Sequence, residues 1–449
     1  MKLKLGVKIS LFLVTVFIIS SCSKEEIIPE EVEINDFVWG GLNAYYKWQG
    51  NVEDLADTKF TNRNELNAYL EDFETPLDIF NSLIIDTDSR ITDDFTIFEN
   101  ELEGIITTNG LSVRGALFTD VDDNLFYYAV AQSIIPNSSA DLAGITPGMM
   151  FSYANGSRIS ALNIDTLFIE EADITLTQVD YDVDGYIVPV GSYAFEAIET
   201  DVYPIEVYQN QVVNGQTVGY FLYNHFASKY NQDLNSVFED YRAQGIDELV
   251  IDLRYNEGVG STDTATYLGS MITGQFDGDV FSKQTWNDKV MTNLNNSNLT
   301  TYFTDEIEYD DETSENINSL GLERIYFIVS SETDTTSLLL INSLQPYIDV
   351  QLVGYENDLT EEITGNNFLF STILYDSDDY TKGGENYNTS HTWAIKPIVF
   401  EAFDKDGTND INGYIPTVPV AGNPNNANVL GNSNEPLFAG ALQHMLQNP

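Results

Sequence analysis

The sequence predicts an α/β fold with a β-rich module and a helical region ahead of it. From about residue 203 to 445, short apolar runs alternate with segments of helical length, as in a sheet whose strands are joined through helices. From about 102 to 202 the pattern changes to period two, seen in Phe126, Tyr128 and Val130, with turn residues between the runs. From about 36 to 101, aromatic and aliphatic residues recur at helical spacing. A chain of 449 residues can bury an ample core in two to four domains.

The first 21 residues read as a signal peptide and not as part of the fold. Lys2, Lys4 and Lys8 precede the apolar run Ile9 to Ile19, and Ser20-Ser21-Cys22 follows. A basic start, a short apolar stretch and small residues before a cleavage point suit secretion better than membrane spanning. Cys22 is the single cysteine, so no disulfide can form within the chain. Its position makes it the expected acylation site, and two or three acyl chains anchor a protein stably. Residues 22–35 are expected to form a solvated acidic tether. Lys24-Glu25-Glu26 after the cysteine resembles the surface-export signals of some Gram-negative lipoproteins. The expected location is the cell envelope, lipid-anchored at the outer membrane, with its outer face a candidate.

Nineteen basic against 71 acidic residues give a net charge of −52. Phosphate neutralisation needs clustered Lys and Arg, which excludes a nucleic-acid partner. The acids are spread along the chain and read as a solubilising surface. Asp404-Lys405-Asp406-Gly407-Thr408-Asn409-Asp410 alternates oxygen donors around a glycine, but counting Gly407 as position six of a calcium loop puts Ala402 first and Gly413 last. An acidic turn is the better reading, and no metal or cofactor is expected.

Within the helical region, Asp36 is read as the cap of a run carrying Phe37, Leu42, Tyr45 and Trp48. Thr61 or Asn62 precedes a second helix, and Thr75-Pro76 opens a third. In the β-rich segment, Ser138 or Ser139 caps a short helix that Gly144 ends, and Asn155-Gly156 is a two-residue hairpin turn. The series Ile135-Pro136-Asn137-Ser138-Ser139-Ala140, Leu142-Ala143-Gly144-Ile145 and Asn155-Gly156 resembles a PDZ module, here spanning 102–202. That resemblance implies an extended peptide added as a strand, framed by Leu111-Ser112-Val113-Arg114 and the helix from Ser139 to Ala143. Arg114 is the candidate ligand for the peptide carboxylate.

In the region 203–445, Thr217 to Tyr223, Asp247 to Arg254, Ile325 to Val329 and Val350 to Val353 read as strands. Asp233 to Gln244 and Ser337 to Leu344 read as helices. The loop Ser330-Ser331-Glu332-Thr333-Asp334-Thr335-Thr336 lies between a strand and a helix, so its N–H groups gather at a helix N-terminus and can hold developing negative charge. Two motifs resemble the tail-specific (C-terminal-processing) serine peptidases. Leu249-Val250-Ile251-Asp252-Leu253-Arg254-Tyr255-Asn256 is similar to the family's V-I-D-L-R-x-N strand, and the Ser330 loop to its S-G-T-A-S-A-S-E nucleophile loop. The resemblance covers nearly the whole mature chain, and implies a crotonase-like ββα spiral and a Ser–Lys peptidase.

The chemistry departs from that pattern. Thr335 falls on the nucleophile, Asp334 and Thr336 on small residues, Leu338 on a glutamate, and Thr360 on the lysine base. The oxyanion donors implied by the resemblance are the N–H of Thr336 and one in Glu257-Gly258-Val259-Gly260-Ser261, with Gly258 and Gly260 as candidates. Glu257 has the wrong sign for that loop, and Val259 disfavours a positive φ. A hydroxyl needs a base to attack at neutral pH. Glu361 and Glu362 beside Thr360 are poor ones unless burial raises their pKa. His225, His391 and His444 are too far apart in sequence to place, and His391 is read as structural, on a strand. The expected function is therefore an impaired peptidase-family lipoprotein that binds peptides or protein C-termini. The alternatives are an active threonine-variant endopeptidase and a surface binder of cations or glycans.

Overall fold

Six strands form the central sheet, in the spatial order Ile205–Val213, Gln216–Tyr223, Glu248–Asp252, Arg324–Ile328, Asp349–Tyr355, Val418–Val420. The first pair is an antiparallel hairpin and all later pairings are parallel. Parallel strands need crossovers, and the helices Asn231–Gln244, Thr262–Thr273 and Thr335–Leu344 lie within them. Leu249-Val250-Ile251 is an unbroken apolar run because both faces of the sheet are covered. One face packs Phe221, Ile251 and Phe327 against Leu234, Phe238, Leu268 and Leu340 from the crossover helices. The other packs Tyr220, Val250 and Tyr326 under Leu437, Phe438 and Ala441 of the C-terminal helix Pro436–Gln447. This computed structural model describes residues 28–448 apart from 170–171, 257–259, 294–298, 310–312, 357–367, 410–413 and 423–429.

The helical region adds to the first of these cores. Phe37, Val38 and Leu42 of Glu33–Tyr45, with Ile79 and Phe80 of Pro76–Leu83, join the same cluster. Asn62 caps Arg63–Leu70, and Thr75 with Asp78 forms a capping box before the third helix. Asp36 is not a cap. The first helix begins at Glu33, inside the expected tether, because Val32 and Asn35 are buried; Asp36 instead pairs with Arg63 at 2.7 Å. A strand also interrupts this region, Arg90–Thr92, antiparallel to Ala394–Lys396.

The β-rich segment forms a second sheet, with Leu111–Thr119 at one edge, then Leu125–Ile134, Met150–Ala154, Ile174–Tyr181 and Ile187–Phe195. Ser138 caps Ser139–Leu142, Gly144 closes it at φ +82°, and Asn155-Gly156 makes its turn with both φ positive. The expected acidic turn at Asp404 is closed on itself: its carboxylate accepts the N–H groups of Asp406 (2.9 Å) and Thr408 (2.8 Å) and the Thr408 hydroxyl.

Candidate active site

The Glu248–Asp252 and Arg324–Ile328 strands are neighbours, so the loops leaving their C-terminal ends meet. The join is stitched by short polar side chains. Thr333 Oγ1 donates to Leu253 O (2.9 Å) and accepts the Ser330 N–H (3.0 Å), while Ser330 Oγ donates to Arg254 O (2.5 Å). The Asp334 N–H reaches Asn256 O at 3.2 Å, and Asn256 Nδ2 reaches Tyr223 O at 2.9 Å. These bonds hold the Ser330 loop in one register against the Arg254 turn.

Below the loop lies a buried charge network. Arg254 Nε and Nη2 donate to Asp252, and Nη1 and Nη2 donate to Glu435, at 2.7 to 3.0 Å. Tyr220 adds its hydroxyl to Asp252 at 2.6 Å. Burial alone would push the Glu435 carboxyl up, yet Arg254 holds it below the usual range. Glu435 also caps the C-terminal helix through the Phe438 N–H. The arginine of the L-R motif thus ties the central strand to the last helix, with its guanidinium occupied by two carboxylates.

Thr335 opens the helix Thr335–Leu344 and lines a cleft of about 1240 Å³. Its φ is +24°, a left-handed conformation that costs a β-branched residue of order 1–3 kcal/mol and survives only where neighbours impose it. Its N–H is accepted by Asp334 Oδ1 at 2.7 Å. Among the described residues, no side-chain base stands within hydrogen-bonding distance of Thr335 Oγ1. Thr336 is fully buried and turns its side chain toward the other loop. Its Oγ1 accepts the Gly260 N–H at 2.8 Å and faces Gly260 O at 3.3 Å. Gly260 cannot carry a side chain there, since a Cβ would sit 2.6 Å from Phe226 Cβ and 2.9 Å from Phe226 O.

Both features bear on where an anion could be held. A helix N-terminus attracts an anion through unpaired N–H groups and its positive potential. Here the protein's own carboxylate at Asp334 takes that position. The N–H of Gly260, a donor candidate in the glycine loop, is already satisfied by Thr336 Oγ1. These two roles were not legible from the motif alignment, which marks both positions only as replacements of small residues. Leu338, on the family's glutamate, is buried in the core.

The remaining expected site residues divide. Gly258, with Glu257 and Val259, lies outside the described residues, as do Thr360, Glu361, Glu362 and Cys22. Arg114 is corrected. It pairs with Val130, whose side chain faces Tyr128 and Met150, whereas the Ser139–Leu142 helix packs its Ala140 on the opposite face with Leu111 and Val113. Period-two alternation therefore carries Arg114 away from the predicted groove, and its Nε is buried without a partner among the described residues. His225 does line the cleft, where burial lowers its pKa, and its Nε2 lies 3.4 Å from Leu102 O. His391 precedes the strand on which it was expected and contacts Asp376 at 3.0 Å; His444 meets Tyr326 at 3.0 Å.

The edge strand of the β-rich sheet contributes Ser112 and Val113 to the same cleft, and the next strand contributes Gln132, Ser133 and Ile134. Gln132 Nε2 reaches Tyr255 Oη beside the Arg254 turn at 3.3 Å. A strand edge and the Thr335 loop thus share one cavity.

Comparison with known proteins agrees with this architecture. The family model described as Peptidase family S41 matches residues 217–418, and the Peptidase S41 N-terminal domain matches 33–97. A solved Bacteroides fragilis structure assigned to the S41 proteases aligns with TM-score 0.62 at 20% identity, covering 92% of this chain and 97% of that one. The photosystem II D1 C-terminal processing protease aligns with TM-score 0.49 at 15% identity, covering 92% and 100%. The first likeness supports the fold alone. No curated protein matches the chain.

Proposed function

The chain belongs to peptidase family S41, and from that premise we propose that it is a catalytically impaired member that holds peptides or protein C-termini in the Thr335 cleft. One observation carries the reading: the Thr336 hydroxyl accepts the Gly260 N–H at 2.8 Å, where a working peptidase keeps its oxyanion donors open. The Asp334 carboxylate at the helix N-terminus acts in the same direction. The replacement of serine and lysine by Thr335 and Thr360 removes the activated nucleophile.

Retention of the cleft supports a binding role. Among the described residues Leu111–Thr119 is an edge strand of its sheet, which suits β-addition, in keeping with a PDZ-like module. The Cys22 sequence supports lipid anchoring in the cell envelope, and the −52 charge argues against nucleic acid. The Cys22→Ser variant should leave the membrane fraction for the soluble one; a variant that stays bound would remove the anchor.

The test of the main reading is a fluorogenic-peptide and casein assay on the mature chain, run beside fluorescence-anisotropy binding of C-terminal peptides. Binding without turnover is expected. A second reading, a threonine-variant endopeptidase, is favoured by the strained left-handed φ at Thr335, since such strain gathers at reacting residues. Robust turnover abolished by Thr335→Ala would establish it and overturn the first.

A further inference from the structure

Arg90 and Lys396 are direct cross-strand partners in the pairing of Arg90–Thr92 with Ala394–Lys396. Like charges placed opposite each other on neighbouring strands destabilise a sheet. One carboxylate spans the pair: Glu101, from the helix Phe95–Leu102, takes Arg90 Nη1 at 3.0 Å, contacts Arg90 Nη2, and lies 3.5 Å from Lys396 Nζ. Phe98 of the same helix lies under both cations, its ring centroid 5.0 Å from Arg90 Cζ and 5.6 Å from Lys396 Nζ. Glu101 thus serves both cations. Lys396 is only 6% exposed, while the Arg90 side chain is 47% exposed, and both line the cleft that holds Thr335.

We propose that the Arg90–Lys396 pair is an anchoring point for a peptide carboxylate in this cleft. The proposal deepens the peptide-binding reading and rests on it. It also supplies the cation that Arg114, turned to the other face of its sheet, does not. Arg254 is the other arginine of the cleft, and Asp252 and Glu435 occupy it. Arg90 spends two of its five N–H donors on Glu101, which leaves donors for a second carboxylate.

The other charged groups lining the cleft define the ligand further. Asp88, Glu206, Glu332 and Asp334 share its wall. Their charge, with −52 overall, disfavours a polyanion and leaves a single carboxylate, in contact with both cations, as the ligand. A C-terminal carboxylate and a Glu or Asp side chain offer the same chemistry, so the peptides tested must separate them.

The test compares labelled peptides of one apolar sequence as the free acid, as the C-terminal amide, and as the amide with a penultimate Glu. Anisotropy is measured on the wild type and on Lys396→Met, Arg90→Gln and Glu101→Gln, each checked by thermal melting. The free acid should bind about tenfold tighter than the plain amide, the worth of one charge-assisted contact. Lys396→Met and Arg90→Gln should abolish that ratio. Glu101→Gln should widen it, an outcome that a purely structural clamp does not give. Preference for the Glu-containing amide over the free acid would also support the site, with a side chain as its ligand. Equal binding of all three peptides, or a ratio unchanged by the variants, would overturn it. If Lys396→Met fails to fold, the exposed Arg90→Gln decides. If no peptide binds, the peptide-binding reading fails, and N-acetylleucine against N-acetylleucinamide decides the site separately. A Lys396 Cε NMR signal moved by the acid alone keeps the carboxylate site, and no movement removes it.

Discussion

Replacing Thr336 by valine isolates the contact on which the impaired-site reading depends. Valine keeps the branched shape and deletes the hydroxyl, so the Gly260 N–H loses its acceptor at 2.8 Å and Gly260 O loses its donor at 3.3 Å. Thr336 is 0% exposed and Gly260 is buried, so water cannot readily replace the lost partner. An orphaned buried donor costs about 1–3 kcal/mol. Gly260 has little freedom to escape, because it is packed on Phe226 and the next N–H, from Ser261, is bonded to Phe226 O at 2.8 Å. Urea unfolding should therefore show a lower midpoint with an unchanged slope, which marks lost stability without a change in the surface exposed. Hydrogen exchange should quicken at 253–256 and 260–261 and stay unchanged in Ile187–Phe195, at the far edge of the β-rich sheet. Thr335→Val, at a hydroxyl with no such partner among the described residues, should cost clearly less. Equal stability of Thr336→Val and the wild type, or equal losses in the two variants, would refute the contact.

Three further outcomes follow from other parts of the molecule. Restoring the family's dyad with Thr335→Ser and Thr360→Lys should give no peptidase activity while Thr336 is present; adding Thr336→Ala should produce the first measurable turnover, a strongly non-additive series. Glu435→Gln leaves Arg254 paired with Asp252 but removes the charge-assisted bonds to the last helix, so it should cost about 1.5–3 kcal/mol in urea unfolding and release the C-terminal helix to exchange. Asp263, at the start of Thr262–Thr273, has its pKa pushed up to about 6 by burial and then by Glu308. A raised folded pKa means the folded state holds the extra proton, so this group's stability contribution is complete below pH 4 and lost as pH rises through 6. Asp263→Asn should raise the thermal midpoint at pH 7.5 and leave it nearly unchanged at pH 4.

Local signals made much of the architecture legible. The apolar run at Leu249-Val250-Ile251 marked a strand covered on both faces, and Thr75-Pro76, Ser138 and Asn155-Gly156 marked caps and a turn whose chemistry is settled within a few residues. The threonines at 335 and 360, where the family resemblance places serine and lysine, were likewise legible from residue identity alone. Elements that depend on distant partners were not. Arg90–Thr92 is too short to show a period, and becomes a strand only because Ala394–Lys396, some 300 residues away, supplies its hydrogen bonds. The start of the first helix was misplaced because Val32 and Asn35 are buried by residues far along the chain.

By itself, then, the sequence determined the order of strands and helices, the threonines that stand at 335 and 360, and the −52 net charge. Only the tertiary structure decided which way side chains face and what they meet: Arg114 turned from the groove, Thr336 seated on Gly260, and Arg90 set opposite Lys396. The physical reason is range. Caps, turns and apolar periods are settled by neighbours a few residues apart. Strand pairing and loop-to-loop hydrogen bonds join positions such as 260 and 336, whose encounter no local pattern records.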